Sequence, residues 1–507
     1  MSRRSSLDHV LAVDIGTSSV RAMVFDAFGA VHGRVRIGYG TMRPELGFEE
    51  QDPDRVRADT YRAIALCLAE KGVTPGRIGA IAFSSQLYGV IALDSDEGPL
   101  TRNIVWSDAR AEREAEDLKA RFGPLGLYEK TGCPPSSLFP IAKIMWLGTH
   151  RPEIFGRVAR YVSIKEYITA PLTGSWTVDH SMASGTGLFD IRARDWHAPA
   201  LAAAGINLAQ VSEPVSGTKP LALVSPGPFD GLGLDPNIRI FLGGGDGPLA
   251  NLGSGASRHG AVNIDLGTSG AARCVVERPI TDNAASLWCF CLADSTWAYG
   301  GILTNAGNTW DWLGALLASE TAERDEAILR LGQAAANVVP GADGLHALPY
   351  LRKPRSPTWD ARLTGVFWGL TPEHGRGHLG RALIEAMAYD LRTILGIMDV
   401  QVETEPAITL TGGLARMPLL PQILADVLCR PIRVPEEGEG SIAGAALLGA
   451  MGLGLVDTPA FLGEPAPLAE FAPNPENAAR YRDLYGEHLR LVEVVRATTL
   501  SKEEEKQ

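Results

Sequence analysis

Cysteine is scarce: six residues in 507, at Cys67, Cys133, Cys274, Cys289, Cys291 and Cys429. Only Cys289 and Cys291 are close, and one residue separates them rather than the two usual in zinc and redox motifs. A disulfide framework is thereby excluded, and the six read as small apolar residues in a reducing compartment. Long apolar runs are also lacking. The most extended, Ala443 to Val456, falls short of the roughly 18–20 residues that span a bilayer. Arg3 and Arg4 precede no signal-peptide core before Asp14. We therefore expect a cytoplasmic protein with no membrane partner. Lys/Arg blocks are missing as well: 47 basic residues face 59 acidic ones, a formal charge of -12, which argues against nucleic acid as a partner.

What is present is a globular composition, 45% hydrophobic and 21% charged. At roughly 100–200 residues per domain the chain should form two or more domains. Its most informative feature is an internal echo: VDIGTSS from Val13 recurs as IDLGTSG from Ile264. An apolar run precedes each phrase, and Val20, Ala22 and Val24 alternate after the first. This is the pattern of a β-hairpin with a Gly-Thr-Ser turn. Gly16 and Gly267 permit close backbone approach, and the hydroxyls of Thr17, Ser18, Thr268 and Ser269 can join exposed N–H groups in holding phosphate oxygens. An aspartate at the strand end, Asp14 or Asp265, suits a magnesium ion.

Between the hairpins, buried strands alternate with amphipathic helices, an α/β pattern. Strands are expected at Ile78 to Phe83, Ile238 to Leu242 and Ala407 to Leu410. The loops that follow strands in such sheets hold ligands. They are SSQLYG from Ser84, GGGDG from Gly243 and TGGLARM from Thr411. Spacing of Leu383, Ala386, Met387, Ile394, Leu395 and Met398 predicts a helix from Leu379 onward. Ser441 is expected to cap a helix in which Ala443, Ala446, Gly449 and Ala450 allow close packing. Ser212 to Pro236 reads as the connection between halves, and the SKEEEKQ tail as a solvated end.

Two D-x-G-T hairpins in two α/β halves with a late Gly-Gly loop resemble the actin, Hsp70 and sugar-kinase superfamily. Within it the chain resembles the FGGY carbohydrate kinases. GVFWGLTPEHGRGHLGRALIE (Gly365 to Glu385) is similar to that family's second signature, and Pro140, Lys143, Trp146 and Leu147 to part of its first, with Leu138 departing from it. TGCPPSSLFPIAKIMWL (from Thr131), SIKEYI (from Ser163), ASGTGLFDIRARDW (from Ala183) and VWSDAR (from Val105) look most like the gluconokinase branch. The resemblance implies a two-domain actin-like (ribonuclease H-like) ATPase fold, duplicated, with a central cleft. It implies an N-terminal domain over 1–241, carrying the sugar site and first phosphate motif, and a nucleotide-binding C-terminal domain over 242–507. One loop departs: in LPYLRKPRSPTWD (Leu348 to Asp360), Arg352, Lys353 and Pro354 stand where relatives carry Ser, Gly and Glu.

The resemblance also distributes roles. Asp246, between Gly245 and Gly247 after a buried strand, is the expected catalytic base for an acceptor hydroxyl and a substrate contact. Its bland alternative is an aspartate satisfying turn N–H groups. For ATP we expect Gly16, Thr17, Ser18 and Arg21, then Gly267, Thr268 and Ser269, with Gly307, Gly412, Gly413 and Arg416 on the nucleoside side. Asp14 is the preferred magnesium residue. For the sugar we expect Gln86, Trp106, Asp108 and Arg110, since amides and carboxylates bond hydroxyls and an indole covers a C–H face. Tyr88 stands where several relatives carry histidine. A gluconate carboxylate would want a cation, Arg110 or Lys165, although Lys165 and Lys143 read more simply as structural lysines. Trp297, Trp310 and Trp359 are given no role.

The expected activity is transfer of the γ-phosphate of ATP, with magnesium, to a small-molecule sugar or sugar acid. Gluconate leads, and xylulose, ribulose or another polyol comes second. Dimers are common in such kinases. An alternative from another class is a nucleotide-switched actin-like binding protein, which predicts no sugar-binding cluster. A dinucleotide-dependent dehydrogenase is disfavoured, because the loop after the first strand lacks the Rossmann glycine spacing.

Overall fold

The apolar run before Asp14 forms a fully buried strand, His9–Ile15, which pairs antiparallel with Ser19–Asp26 through the Gly-Thr-Ser turn. Val31–Gly38 extends this meander. On its other side His9–Ile15 runs parallel to Ile78–Ser85, which runs parallel to Arg239–Gly245. The computed structural model describes residues 7–225, 227–317, 324–436, 439–456 and 467–504; Arg3, Arg4 and the last three residues of the tail lie outside the described residues. The chain divides into two compact units. The first comprises Met1–Arg258, Val275–Tyr299 and Glu439–Glu464; the second comprises His259–Cys274, Gly300–Gly438 and Pro465–Gln507. The expected division at 241/242 falls inside the strand Arg239–Gly245.

Period-two alternation gives the first unit's sheet two different faces. Leu11, Val13, Ile15, Ile81 and Phe83 point into one core with Ile64, Ile168 and Phe229. The other face carries Val10, Ala12, Ala80 and Ala82, and against it pack Ile442, Ala446 and Leu447 of the Gly440–Gly452 helix. Small residues set that approach. A Cβ on Gly449 would meet Ala82 Cβ at 2.9 Å, and one on Gly444 would meet the Leu249 carbonyl oxygen at 2.2 Å. Valine at Gly449 would overpack this seam at a cost of about 1–3 kcal/mol. The close packing expected of this helix is thus observed.

Ser441 behaves otherwise than expected. It lies inside the helix, whose N-cap is Glu439, and its hydroxyl turns to Asp14. The supposed connection Ser212–Pro236 also carries structure: Leu221–Ala222 pairs with Arg239–Gly245. Helix starts obey local chemistry. Asp52 caps Pro53–Leu68 ahead of a proline, and Ser163 and Glu166 form a capping box for Ile164–Thr173, which stops at left-handed Gly174.

The second unit repeats the motif. Val262–Leu266 pairs antiparallel with Gly270–Val276 and parallel with Ile408–Thr411, which pairs parallel with Ile432–Pro435. Pro467–Phe471 closes this edge. The predicted helix spans Arg376–Gln401 and is buried around most of its circumference between Gly380 and Leu391. The start of the SKEEEKQ tail continues the last helix, Pro475–Glu504.

Candidate active site

In the first unit, Ile15, Ser85 and Gly245 sit at one level, because Ser85 is in register with both of the others. The next residues in each strand's path, Gly16, Gln86 and Asp246, therefore leave the carboxyl edge of the parallel strands together. Gly16 donates its N–H to Ser19 O at 3.0 Å, and a Cβ there would stand 3.1 Å from that same oxygen. Its carbonyl accepts from Tyr39 Oη (2.6 Å) and Gln86 Nε2 (3.3 Å). Burial, then Asp14 and Asp59, push the Tyr39 phenol up, so it serves as a neutral donor. Thr17 Oγ1 accepts from Trp106 Nε1 at 2.8 Å, while Thr17 O accepts from Gln51 Nε2 at 2.7 Å. Gln51 Oε1 in turn accepts from Gln86 and Asn103, both at 2.9 Å. Gly16, Thr17, Gln86 and Trp106 thus form one network, whereas Ser18 is exposed at the turn.

Asp14 is buried with both oxygens engaged. Oδ1 accepts from Ser441 Oγ at 2.9 Å and Oδ2 from Arg21 Nη2 at 2.7 Å. Arg21 also feels Glu439 and Asp246. A cationic group therefore already sits in the field of Asp14 and Asp246. A hard divalent cation held by one or two carboxylates and phosphates fits this donor set.

The GGGDG loop is a bulge. Register against Ile78–Ser85 shifts between Phe241 and Gly244, and Gly243 takes φ 63°, where a Cβ would meet Phe83 O at 2.0 Å. Gly245 N–H donates to Ser181 Oγ and caps the helix Asp246–Gly253. Asp246 is half-buried and its Oδ1 accepts from Gly247 N–H, the bland contact expected of it, while its carboxylate also acts on Arg21 and Lys165.

The other sugar-side candidates form a separate cluster. Asp108 is buried and takes a two-pronged bond from Arg110 (Nε 2.8 Å, Nη2 2.7 Å) and another from Glu49 N–H. Arg110 also pairs with Glu50 and lies over Phe48, its carbon 3.9 Å from the ring centre. Both expected carboxylate cations are therefore occupied, Arg110 here and Lys165 by Asp179. Lys143 is buried and donates to Tyr88 O and Val105 O, so both lysines are internal. Tyr88 holds φ 68°, an uncommon backbone for its type, with its ring edge-on to Phe139. Gln51, Asn103 and Tyr39 escaped sequence reading, since no local pattern marks them, and Ser441 reads in the sequence as a helix cap rather than as a partner of Asp14.

In the second unit the hairpin turn is gripped by backbone. Gly307 N–H donates to Gly267 O and Asn308 N–H to Thr268 O; Gly307 opens the helix Gly307–Leu317. A Cβ on Gly307 would meet Gly267 O at 2.5 Å. Gly412, at φ 88°, passes so close that a Cβ would stand 2.4 Å from Leu266 O and 2.8 Å from Asp265 Oδ1. Gly267, Thr268, Gly307 and Gly412 thus converge, with Ser269 completing the turn; Gly413 faces open space and Arg416 is exposed. The departing loop is anchored by Asn305, whose amide bonds both Arg352 N–H (2.8 Å) and Arg352 O (2.7 Å). The side chains of Arg352 and Lys353 are exposed, and Pro354 is buried. In the second signature, Arg381 and Glu385 form a buried triad with Tyr481, a scaffold role.

Residues 9–253 match the FGGY family of carbohydrate kinases, N-terminal domain, and residues 262–453 its C-terminal domain. A gluconokinase of Bacillus subtilis (strain 168) is 34% identical over 461 residues, covering 89% of this chain and 88% of that protein. A xylulose kinase of Staphylococcus xylosus is 28% identical over 447 residues, covering 88% and 91%. The crystal structure of a gluconate kinase from Lactobacillus acidophilus matches with TM-score 0.90 at 29% identity, over 97% of this chain and 99% of that one. The α/β, actin-like (ribonuclease H-like) fold expected from the sequence is the fold of this chain. Among the described residues no helix is long and apolar enough to cross a membrane.

Proposed function

Because the chain belongs to the FGGY family of carbohydrate kinases and is a sugar-kinase phosphotransferase, we propose that it transfers the γ-phosphate of ATP to a hydroxyl of gluconate, with Asp246 as base. One observation carries the reading: Gly16, Gln86 and Asp246 leave three parallel strands at one level, which brings phosphate-turn, sugar-bonding and acidic groups to a common edge. The acceptor oxygen attacks phosphorus in line, the bond to the ADP oxygen breaks, and the hydroxyl proton passes to Asp246. Arg21 and the hairpin N–H groups hold phosphate oxygens; Gln86 and Trp106, already joined through the Thr17 network, orient the acceptor. Asp14 would hold magnesium, which neutralises phosphate charge when bound. Gly307, Gly412 and Gly413 leave room for the nucleotide where side chains would intrude.

Gluconate is favoured by the Bacillus gluconokinase and the Lactobacillus gluconate kinase. A second reading, a pentulose kinase, is favoured by a specific observation: Arg110 and Lys165, the cations expected for a gluconate carboxylate, and Lys143 are all committed to internal partners. Family membership sets aside the switch protein. The proposal extends to a cytoplasmic setting, supported by six cysteines that form no disulfide among the described residues, and to a homodimer, which sedimentation would test.

The test is ADP release with magnesium and ATP across gluconate, xylulose, ribulose and glycerol, beside Asp246→Ala. One acceptor should drive release that the variant loses by at least about 100-fold. Retained turnover in the variant would remove Asp246 as base.

A further inference from the structure

Lys165 is too enclosed to meet a substrate carboxylate, and its surroundings are unusual. Its side chain is 1% exposed, and the ammonium contacts three oxygens: Leu242 O at 2.7 Å, Gly244 O at 2.9 Å and Asp179 Oδ2 at 2.5 Å. Two of the ammonium's three donors go to the carbonyls, and Asp179 stands beside it as an ion pair. The two carbonyls flank Gly243, the residue at which the strand leaves its ladder with Ile78–Ser85. A bulge re-aims the residues beyond it. Here the chain reaches Asp246 two residues beyond Gly244, so the ammonium braces the last bend before that carboxylate. Other contacts fix the bend from different sides: Gly243 N–H to Gly217 O, and Gly245 N–H to Ser181 Oγ.

The brace is itself held. The Ser163–Glu166 capping box sets the first turn of the helix that carries Lys165, and Asp179 Oδ1 caps Met182 N–H while Oδ2 faces the ammonium. Burial lowers the ammonium's pKa, and Asp179, Glu166 and Asp246 oppose that shift. Keeping a charge in such a place is expensive, and a packed apolar side chain would serve the fold as well or better. The arrangement therefore calls for a role beyond packing.

We propose that Lys165 is a positioning residue for Asp246, fixing the bulged end of the Arg239–Gly245 strand so that the carboxylate meets the acceptor hydroxyl. This rests on the reading of Asp246 as base. It predicts an effect on turnover without one on binding, because the Lys165 ammonium is buried and engaged by Leu242, Gly244 and Asp179.

The experiment uses the full-length chain, with ADP release measured on gluconate and xylulose. Lys165→Met is paired with Lys165→Met/Asp179→Asn, in which the carboxylate facing the ammonium is neutralised with it, and with Lys165→Arg, which keeps the charge but not the donor geometry. In the double variant we expect kcat to fall about 10–100-fold with both KM values within about threefold, as misplacement of a reacting group gives. Adding Lys165→Met to Asp246→Ala should cost nothing further. Lys165→Arg should lose about tenfold in kcat, and it decides the matter if the neutral pair does not fold. Wild-type kcat in a folded double variant or in Lys165→Arg overturns the inference. So does a raised acceptor KM at constant kcat, or a loss that adds in full to that of Asp246→Ala. If Asp246→Ala itself retains turnover, the base assignment fails first. If that variant is inactive while the Lys165 variants are normal, only the positioning role fails.

Discussion

The two D-x-G-T hairpins share a phrase and differ in everything around it. In the first unit the Asp14 side chain is 8% exposed, and side chains tie it down, Arg21 on one oxygen and Ser441 on the other. In the second, the Asp265 side chain is 42% exposed and accepts one bond, from Thr411 Oγ1 at 3.1 Å, with Arg273 3.9 Å away. The first turn is gripped by Tyr39, Gln51, Gln86 and Trp106; the second by the N–H groups of Gly307 and Asn308. A repeated phrase thus dictates a repeated backbone, while remote residues decide which copy is wired to charged and amide groups. A turn held by backbone alone tolerates more change in its side chains.

That contrast can be broken. Asp14→Ala removes the acceptor for buried Ser441 and half-buried Arg21 and should cost about 1–2 kcal/mol of stability and at least about 100-fold in turnover. Asp265→Ala should cost under about 1 kcal/mol and about tenfold or less. Thermal unfolding and ADP release over a magnesium series check both, and equal losses would erase the distinction. A smaller effect sharpens it. Gly16→Ala forces a Cβ to 3.1 Å from Ser19 O, whereas at Gly267 the nearest atom would be 3.8 Å away. We expect Gly16→Ala to destabilise by about 1 kcal/mol and Gly267→Ala to be near neutral. Gly307→Ala, which pushes on Gly267 O, should weaken ATP binding about tenfold in a calorimetric titration.

The smallest effect concerns acid. In the first unit the Arg77 hydrogen bond holds the Asp8 carboxyl below its ordinary 3.8, against burial. In the second, burial raises Asp360 but Arg362 and Arg496 more than offset it. Both folded values are depressed. Each group therefore contributes stability above about pH 4 that is lost as pH falls through the folded value. Asp360→Asn should cost up to about 1 kcal/mol at pH 7 in urea unfolding, and Asp8→Asn less. Each gap to wild type should close toward pH 3.

Much of this was legible. Strand alternation and glycine placement are short-range signals, so both hairpins and the Thr411–Gly413 turn could be read off neighbouring residues, whereas GGGDG reads as a loop and is in part the bulged end of a strand. Partners of charges could not. Lys165 meets Leu242 and Gly244, nearly eighty positions on, and Ser441 leaves its own helix end for Asp14. Arg110 is instructive, because its partner Asp108 stood in the same motif, yet the motif suggested two sugar ligands rather than one closed pair. Gln51 and Asn103, buried amides on two-residue strands, carry no periodicity to find.

The helix that covers the alanine face of the first sheet comes late in the chain. Strands of that sheet are complete by Gly245, but their cover begins only at Gly440. On a ribosome adding about 5–20 residues per second, Val10, Ala12, Ala80 and Phe241 wait on the order of 10 s or more for Ile442 and Leu447. The nascent first unit thus keeps that part of its apolar face uncovered throughout synthesis of most of the second. A gene fragment stopped near residue 258 would yield a sheet with a bare apolar flank, prone to aggregate rather than a usable half-enzyme.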